Sequence, residues 1–139
     1  MRTLIYNARM NNSKPLPTQN FTDVRTVAIV GRTLSDSSPD ALLHVIRAVV
    51  DLGCAVIVEE RTHAHFQLTG YSKAGLKDIG QAADVMISVG GDGTMLGNAR
   101  QVAPYALPII GVNQGHLGFI TDIALADVET ALREILVDK

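Results

Sequence analysis

The chain has 139 residues and a formal net charge of −2, and 47% of the residues are hydrophobic. This length suits one domain with an aliphatic core, since only 4% of the residues are aromatic and tryptophan is absent. The small net charge gives no reason to expect nucleic acid or an anionic membrane surface as a partner. The single cysteine cannot form an internal disulfide, and no apolar stretch approaches the roughly 20 residues of a membrane span. We therefore expect a cytoplasmic protein.

The first 23 residues differ from the rest of the chain. They are rich in asparagine, serine and proline and contain few apolar residues. This composition predicts a mobile N-terminal extension over residues 1–23, with a short strand at 4–6 as the alternative. We expect the folded domain to span residues 24–139.

Strands and helices are predicted to alternate along this domain. Four apolar runs are typical of buried strands: residues 24–31, 54–58, 84–89 and 107–112. After the first run, four residues recur at the spacing of one helix face: Leu42, Val45, Ile46 and Val49. Gly53 follows where a helix end favours positive φ. Helices are also predicted at 94–102 and 127–137 (with a Glu129–Arg133 ion pair) and a helical turn at 79–83, whereas 62–77 is irregular.

This alternation predicts an α/β, Rossmann-like fold, in which a parallel sheet carries helices on both faces. Ligands of such folds bind beyond the carboxyl ends of the strands. Two glycine-rich loops, at residues 90–94 and 113–119, each follow a predicted strand. We therefore expect both loops to contribute to one site.

The first loop reads Gly90-Gly91-Asp92-Gly93-Thr94. A strand that leads through a glycine-rich turn into a helix N-terminus is a common phosphate-binding arrangement, although glycine can also serve turn geometry alone. Phosphate repels a carboxylate, so Asp92 needs an explanation. Either a divalent cation bridges the two anions, or Asp92 accepts a proton from a hydroxyl that attacks phosphate. Both interpretations indicate phosphoryl transfer.

The second loop contains Asn113, His116, Leu117 and Phe119. One interpretation is a surface turn whose Leu117 and Phe119 side chains enter the core. The other is that Phe119 faces the flat base of a nucleotide, since aromatic side chains commonly line such pockets. His116 lies within this loop and is a weaker candidate for ligand contact.

Other polar residues are interpreted as ordinary surface groups. His63 and His65 are two residues apart, but they lack the further ligands of a metal site. The run Glu59-Glu60-Arg61 is interpreted as a solvated strand end. The sequence assigns no residue as a metal ligand.

The two loops together, GGDGTML and then PIIGVNQGHLGFITD, resemble the N-terminal domain of the bacterial NAD kinase family. The similarity spans residues 24–139 and is strongest over 84–122. The GGDG element alone is shared with phosphofructokinases and with diacylglycerol and sphingosine kinases. The lipid kinases usually have an Asn-Glu pair downstream, and this chain has Gly97-Asn98 instead.

The resemblance implies a phosphofructokinase-type fold and transfer of a phosphoryl group from ATP to the adenosine-ribose 2′-hydroxyl of NAD, which gives NADP. It implies that Asp92 accepts the hydroxyl proton, that Gly93 contacts NAD and that Phe119 lies near the adenine. Gly90 and Gly91 would meet the triphosphate donor, Thr94 is also expected to bind the nucleotide, and Asn113 either contacts ligand or holds its own loop. A divalent metal such as Mg²⁺ is implied, with ATP, or polyphosphate in some members, as donor.

Members of the family also have a second, all-β domain, which supplies further NAD contacts and most of the oligomer interface. No segment of this sequence resembles it. We therefore expect a homo-oligomer only for a full-length enzyme, and little or no kinase activity for these 139 residues alone. The alternatives are a non-catalytic nucleotide-binding or oligomerisation module, and a lipid or sugar kinase relative.

Overall fold

Seven strands form a single sheet in the computed structural model, which describes residues 5–7, 24–35, 37–115, 117–121 and 123–138. The strands are β1 (Ile5–Asn7), β2 (Thr26–Gly31), β3 (Ala55–Glu59), β4 (Ser72–Ala74), β5 (Val85–Gly90), β6 (Pro108–Asn113) and β7 (Ile123–Ala124). The helices are α1 (Asp40–Asp51), α2 (Glu60–Phe66), α3 (Leu76–Ala82), α4 (Asp92–Val102) and α5 (Val128–Arg133). Short 3₁₀ turns occupy Ala103–Tyr105 and Leu125–Asp127, and α5 continues as a π-helical turn, Glu134–Asp138.

The strand order is β1-β6-β5-β2-β3-β4, and β7 pairs with β6 beyond the residues that β1 covers. Every pairing is parallel except that of β1 with β6. The predicted α/β, Rossmann-like architecture is therefore confirmed. It follows from the four apolar runs, because strands that are buried on both faces need helices on each side.

Two hydrophobic clusters cover the two faces of the sheet. On one face Val27, Ile29 and Ile87 pack with α1 and α5. On the other face Ala28 and Met86 pack with α3 and α4. Alternate residues of one strand thus serve opposite layers, as the two-residue period of a strand requires.

Helix α1 buries the face that its spacing predicts. Leu42, Val45, Ile46 and Val49 are all at most 2% exposed. Burial of such side chains contributes roughly 1.5–3 kcal/mol each before chain entropy is subtracted. Gly53 ends the helix with φ at 85°, which confirms the predicted left-handed residue.

The N-terminal region differs in part from its prediction. Ile5–Asn7 pair antiparallel with β6, which agrees with the alternative of a short strand, one residue later than predicted. The remaining residues of the predicted extension lie outside the described part of the chain.

The segment interpreted as irregular, 62–77, holds most of α2, the whole of β4 and the start of α3. At the other end of the domain, Glu129 pairs with His44 Nε2 at 2.7 Å instead of with Arg133, so that prediction is wrong. Across the described ranges, none of the helices has the length and apolar character needed to cross a membrane.

Candidate functional site

The carboxyl ends of β2, β5 and β6 meet at one edge of the sheet. The chain builds outward from β2 to β4 on one side and then from β5 to β6 on the other, so β2 and β5 are neighbours where the strand order switches. The register sets Gly31 beside Val89, and Gly90 beside Asn113. Open α/β sheets bind ligands at such a switch point.

An open cavity of about 540 Å³ lies at this point. This volume is within the range of small-molecule sites. Both glycine-rich loops contribute to its walls, so the structure brings the two loops together at one cavity, while their role in ligand binding stays a prediction. The lining residues are Arg32, Gly90, Gly91, Asp92, Asn113, Gln114, Gly115 and Gly118.

The glycines of the first loop are not required by backbone geometry. Among the described glycines, only Gly53 has positive φ, so Gly90, Gly91 and Gly93 adopt conformations that other residues tolerate. A Cβ atom at Gly91 or Gly93 would meet no atom within 4 Å. Turn geometry alone therefore does not explain Gly91 and Gly93, whereas Gly90 leaves room for the Thr94 side chain. The empty space beside the backbone leaves room for an external group to approach it closely.

The N-terminus of α4 faces this space. Its cap residue is Gly91, which has no side chain that could accept a hydrogen bond from the first amides of the helix. The amides of Asp92, Gly93 and Thr94 belong to the first turn, where an α-helix offers no internal acceptor. Amides in this position, together with the helix dipole, favour phosphate oxygens.

The carboxylate of Asp92 accepts four hydrogen bonds from residues 119–121. Oδ2 accepts from the Phe119 amide at 2.8 Å. Oδ1 accepts from the Thr121 hydroxyl at 2.7 Å, the Thr121 amide at 3.1 Å and the Ile120 amide at 3.3 Å. Asp92 therefore joins the first turn of α4 to residues 119–121, a connection that the sequence did not predict.

These hydrogen bonds hold the pKa of Asp92 below its ordinary value. The Thr121 hydroxyl has the largest effect and the Phe119 amide follows, whereas partial desolvation opposes them. Donors directed at a carboxylate stabilise its charged form. Asp92 is therefore ionised at neutral pH and is a weaker base than an ordinary aspartate.

Both polar atoms of the Asn113 side chain form hydrogen bonds within residues 113–121. Its Nδ2 donates to Thr121 Oγ1 at 2.8 Å, and its Oδ1 accepts from the Gly115 amide at 2.7 Å. Asn113 and Thr121 are 4% and 0% exposed, respectively. Of the two roles considered for Asn113, this geometry favours that of holding the loop.

The other predicted site residues lie around the cavity. The Thr94 side chain packs on Gly90, 3.1 Å from the position of a Cβ there, and neither Gly93 nor Thr94 lines the cavity. Phe119 is 96% exposed and Leu117 is 61% exposed, so the interpretation that places them in the core is wrong. Both line a shallow depression of about 390 Å³, to which Asp92 and Gly118 also contribute.

Several contributors were missed at the level of sequence. Arg32 follows β2 directly and is the cationic side chain that lines the cavity. The signal was available, because a residue that follows the first buried strand lies at the switch point of a doubly wound sheet. Thr121 carried no such signal, since its role depends on a contact with Asp92, 29 residues away.

Glu59 is also placed differently from its prediction. It is 6% exposed, and its carboxylate accepts from the Arg61 amide at 2.7 Å and from the Thr62 amide at 3.2 Å. The Thr62 hydroxyl donates to Glu59 at 3.0 Å and accepts from the Gly31 amide at 3.1 Å. Glu59 is therefore a buried N-cap of α2, and the interpretation as a solvated strand end is wrong for this residue.

A protein-only metal centre is not found in the part of the chain that the structure describes, where no three His, Cys, Asp or Glu side chains are grouped suitably. His63 Nε2 lies 3.0 Å from the Tyr71 carbonyl oxygen, which accounts for that side chain structurally. His116 lies outside the described residues, so its predicted proximity to ligand stays a prediction.

Sequence comparison with known proteins identifies one family. The family model for the ATP-NAD kinase N-terminal domain matches residues 27–139. An NAD kinase of Burkholderia lata is 45% identical over 114 residues, which cover 82% of this chain and 38% of the relative. An NAD kinase of Paracidovorax citrulli is 45% identical over 117 residues, which cover 79% of this chain and 39% of the relative. The chain thus spans about two-fifths of the length of these curated relatives, and it belongs to the ATP-NAD kinase family through its N-terminal domain.

Proposed function

We propose that this chain supplies the catalytic-aspartate domain of an NAD kinase, which transfers a phosphoryl group from ATP to the adenosine-ribose 2′-hydroxyl of NAD. The observation that carries this proposal is the position of Asp92. Its ionised carboxylate lines both a cavity with features of a phosphate site and the depression beside Phe119. A hydroxyl acceptor and a phosphate donor can therefore meet at one carboxylate.

The donor phosphates would occupy the larger cavity. The first-turn amides of α4 and the guanidinium of Arg32 supply the positive potential there. The bare backbone at Gly91 lets phosphate oxygens approach closely. Phosphoryl transfer depends mainly on such positioning and charge neutralisation.

The carboxylate of Asp92 would accept the proton of the attacking hydroxyl. Oδ1 already accepts three hydrogen bonds, whereas Oδ2 accepts one and retains a lone pair. A lowered pKa limits base strength, but a loose transition state demands little proton removal before the phosphorus–oxygen bond forms. Asp92 would then act chiefly by orienting the hydroxyl and taking its proton late.

The nicotinamide dinucleotide would lie on the Phe119 side of the carboxylate. A phenylalanine that is 96% exposed leaves almost its whole ring in water, and the planar base of a nucleotide would cover it. We infer that the adenine stacks there, which sets its ribose near Asp92.

A divalent cation such as Mg²⁺ fits this site only through the donor. Among the described residues, Asp92 is the carboxylate that lines the cavity, and it already accepts hydrogen bonds from Phe119 and Thr121. Mg²⁺ commonly retains waters and binds substrate phosphates. The ion would be held mainly by phosphate oxygens and would neutralise their charge.

A second candidate is a nucleotide-binding module without turnover. The observation behind this second candidate is that Asp92 accepts four hydrogen bonds. A carboxylate that holds a loop in this way has a structural role that does not require catalysis. The limited span of the chain relative to its relatives also leads us to expect little or no NADP formation by the 139 residues alone.

A chimera tests the proposal. Residues 27–139 would replace the matching segment of the Burkholderia lata NAD kinase, and NADP formation would be followed by enzymatic cycling. We expect turnover, with kcat lowered on the order of 10²–10⁴-fold by Asp92→Asn. Asp78→Asn is the matched control, since Asp78 is an exposed carboxylate on α3.

Calorimetry on the chimera separates the two candidates. We expect saturable binding of NAD and of ATP with Mg²⁺, together with turnover. A folded chimera that binds both nucleotides but forms no NADP would contradict the kinase proposal and support the binding module. A chimera that binds neither nucleotide would contradict both.

A further inference from the structure

Two buried polar side chains stand behind the carboxylate of Asp92. The Thr121 hydroxyl donates to Asp92 Oδ1 at 2.7 Å and accepts from Asn113 Nδ2 at 2.8 Å. The three side chains therefore form a continuous chain of hydrogen bonds from the end of β6 to the start of α4. Since the Asn113 amide can only donate through its nitrogen, it fixes the Thr121 hydroxyl as the donor toward Asp92.

Two glycines allow this arrangement to be compact. A Cβ atom at Gly111 would lie 2.8 Å from the Thr121 methyl carbon and 2.9 Å from the Ile120 carbonyl oxygen. A Cβ atom at Gly118 would collide with the Asp92 carboxyl group. The segment 118–121 is thus pressed against β6 on one side and against Asp92 on the other.

The two carboxylate oxygens are consequently not equivalent. Oδ1 has its acceptor capacity filled by Thr121 and Ile120, and it faces the buried side of the loop. Oδ2 accepts a single bond, from the exposed Phe119 residue, and keeps capacity for a ligand. Rotation of the carboxyl group would break the bond from a hydroxyl that is fully buried, which is costly.

We propose that Thr121 is a positioning residue for Asp92, which together with Asn113 holds Oδ1 toward the protein and leaves Oδ2 as the oxygen that is presented to a ligand hydroxyl. The identity of that ligand rests on the function proposed above, whereas the positioning itself does not. The charged side chain at the end of β2, Arg32, lines the same cavity. His116 and Asp122, on the loop itself, lie outside the described residues.

The test compares Thr121→Val, which keeps the methyl packing and removes the hydroxyl, with Thr121→Ser, which keeps the hydroxyl. The ¹³C carboxyl signal of Asp92 is titrated by NMR in the 139-residue chain. We expect the Asp92 titration midpoint to move upward in the valine variant and to stay near the wild-type midpoint in the serine variant. Equal midpoints in wild type and the valine variant would overturn the proposal.

Amide hydrogen exchange gives a second readout. Exchange of the Phe119 amide is expected to be about tenfold faster in Thr121→Val, because its acceptor Oδ2 is no longer held in place. Exchange at Val58, in the buried part of β3, is the reference that a general loss of stability would also change. If the valine variant does not fold, the test is made on the wild-type chain alone. We then expect a slowly exchanging Thr121 hydroxyl proton in its NMR spectrum, and the absence of that signal contradicts the proposal.

A measurement of NAD binding separates this inference from the proposed function. The affinity of the chain for NAD is measured by calorimetry in wild type and in both variants, with a larger loss expected for valine than for serine. If the wild-type chain binds no NAD while the titration and exchange results hold, the nucleotide site of the isolated chain is contradicted and the positioning role stands. If NAD binds equally to all three proteins, the presentation of Oδ2 to ligand is contradicted.

Discussion

Replacement of Glu59 by alanine is expected to destabilise the domain far more than replacement of its neighbour Glu60. Glu59 is 6% exposed and accepts three hydrogen bonds, from the Arg61 amide and from the amide and hydroxyl of Thr62. Loss of an N-cap costs about 1 kcal/mol, and the buried Thr62 groups left unsatisfied add about 1–3 kcal/mol. We therefore expect a loss of about 2–4 kcal/mol in the free energy of unfolding.

Urea denaturation and thermal melting of the 139-residue chain measure this loss. For a chain of this size the melting temperature should fall by about 3 °C per kcal/mol, hence by about 6–12 °C. Glu60→Ala, an exposed neighbour of the same chemistry, should change the free energy by no more than about 0.5 kcal/mol. If the two variants unfold within about 0.5 kcal/mol of each other, the assignment of Glu59 as a buried cap is refuted.

Three further outcomes are expected. Gly53→Ala should lower the free energy of unfolding, measured by denaturation, by about 1–2 kcal/mol because φ is 85° there. Gly70→Ala should be neutral or slightly stabilising, because Gly70 has open space and no positive φ. Equal effects of the two substitutions would contradict the strain argument. Phe119→Ala should leave the free energy of unfolding within about 0.5 kcal/mol of wild type but weaken NAD binding in calorimetry; a large loss of stability would contradict the exposure of the ring. The pKa of Asp92 is lower in the folded chain than in the unfolded chain, where it is about 4 as in an ordinary aspartate. The charged carboxylate therefore stabilises the domain at pH values above about 4, and this contribution is lost as pH falls through the folded pKa. The difference in urea midpoint between wild type and Asp92→Asn should therefore shrink from pH 6 to pH 3, and a constant difference would contradict the assigned direction.

Much of the fold follows from local patterns in the sequence. The four main strands were predicted within about two residues because uninterrupted aliphatic runs such as those around Ile29 and Ile110 leave few alternatives to burial on both faces. The face of α1 was predicted because its spacing is local. The prediction failed at α2, which begins at Glu60 and depends on the buried cap Glu59. No local pattern distinguishes a buried glutamate from an exposed one.

The site was predicted in outline and missed in its connections. The glycine-rich turn and the second loop converge because both follow parallel strands, a rule that needs no coordinates. The exposure of Phe119 was not predictable from hydrophobicity, since apolar residues are commonly found on protein surfaces. The bonds from Thr121 and Phe119 to Asp92 span 29 and 27 residues, so they depend on tertiary packing alone.

The antiparallel pairing of β1 has a consequence for the assembly of the chain. Ile5 lies opposite Ile110, so β1 pairs with a strand that is synthesised about 100 residues later. At the usual rate of about 5–20 residues per second, this leaves β1 without its partner for about 5–20 s. The entropy cost of closing so long a loop is offset by the new pairing only after β5 and β6 have paired. Among the described strands, β1 should thus be one of the last to join the sheet, although it is synthesised before the others, and until then the edge of β6 that it covers remains open to other chains.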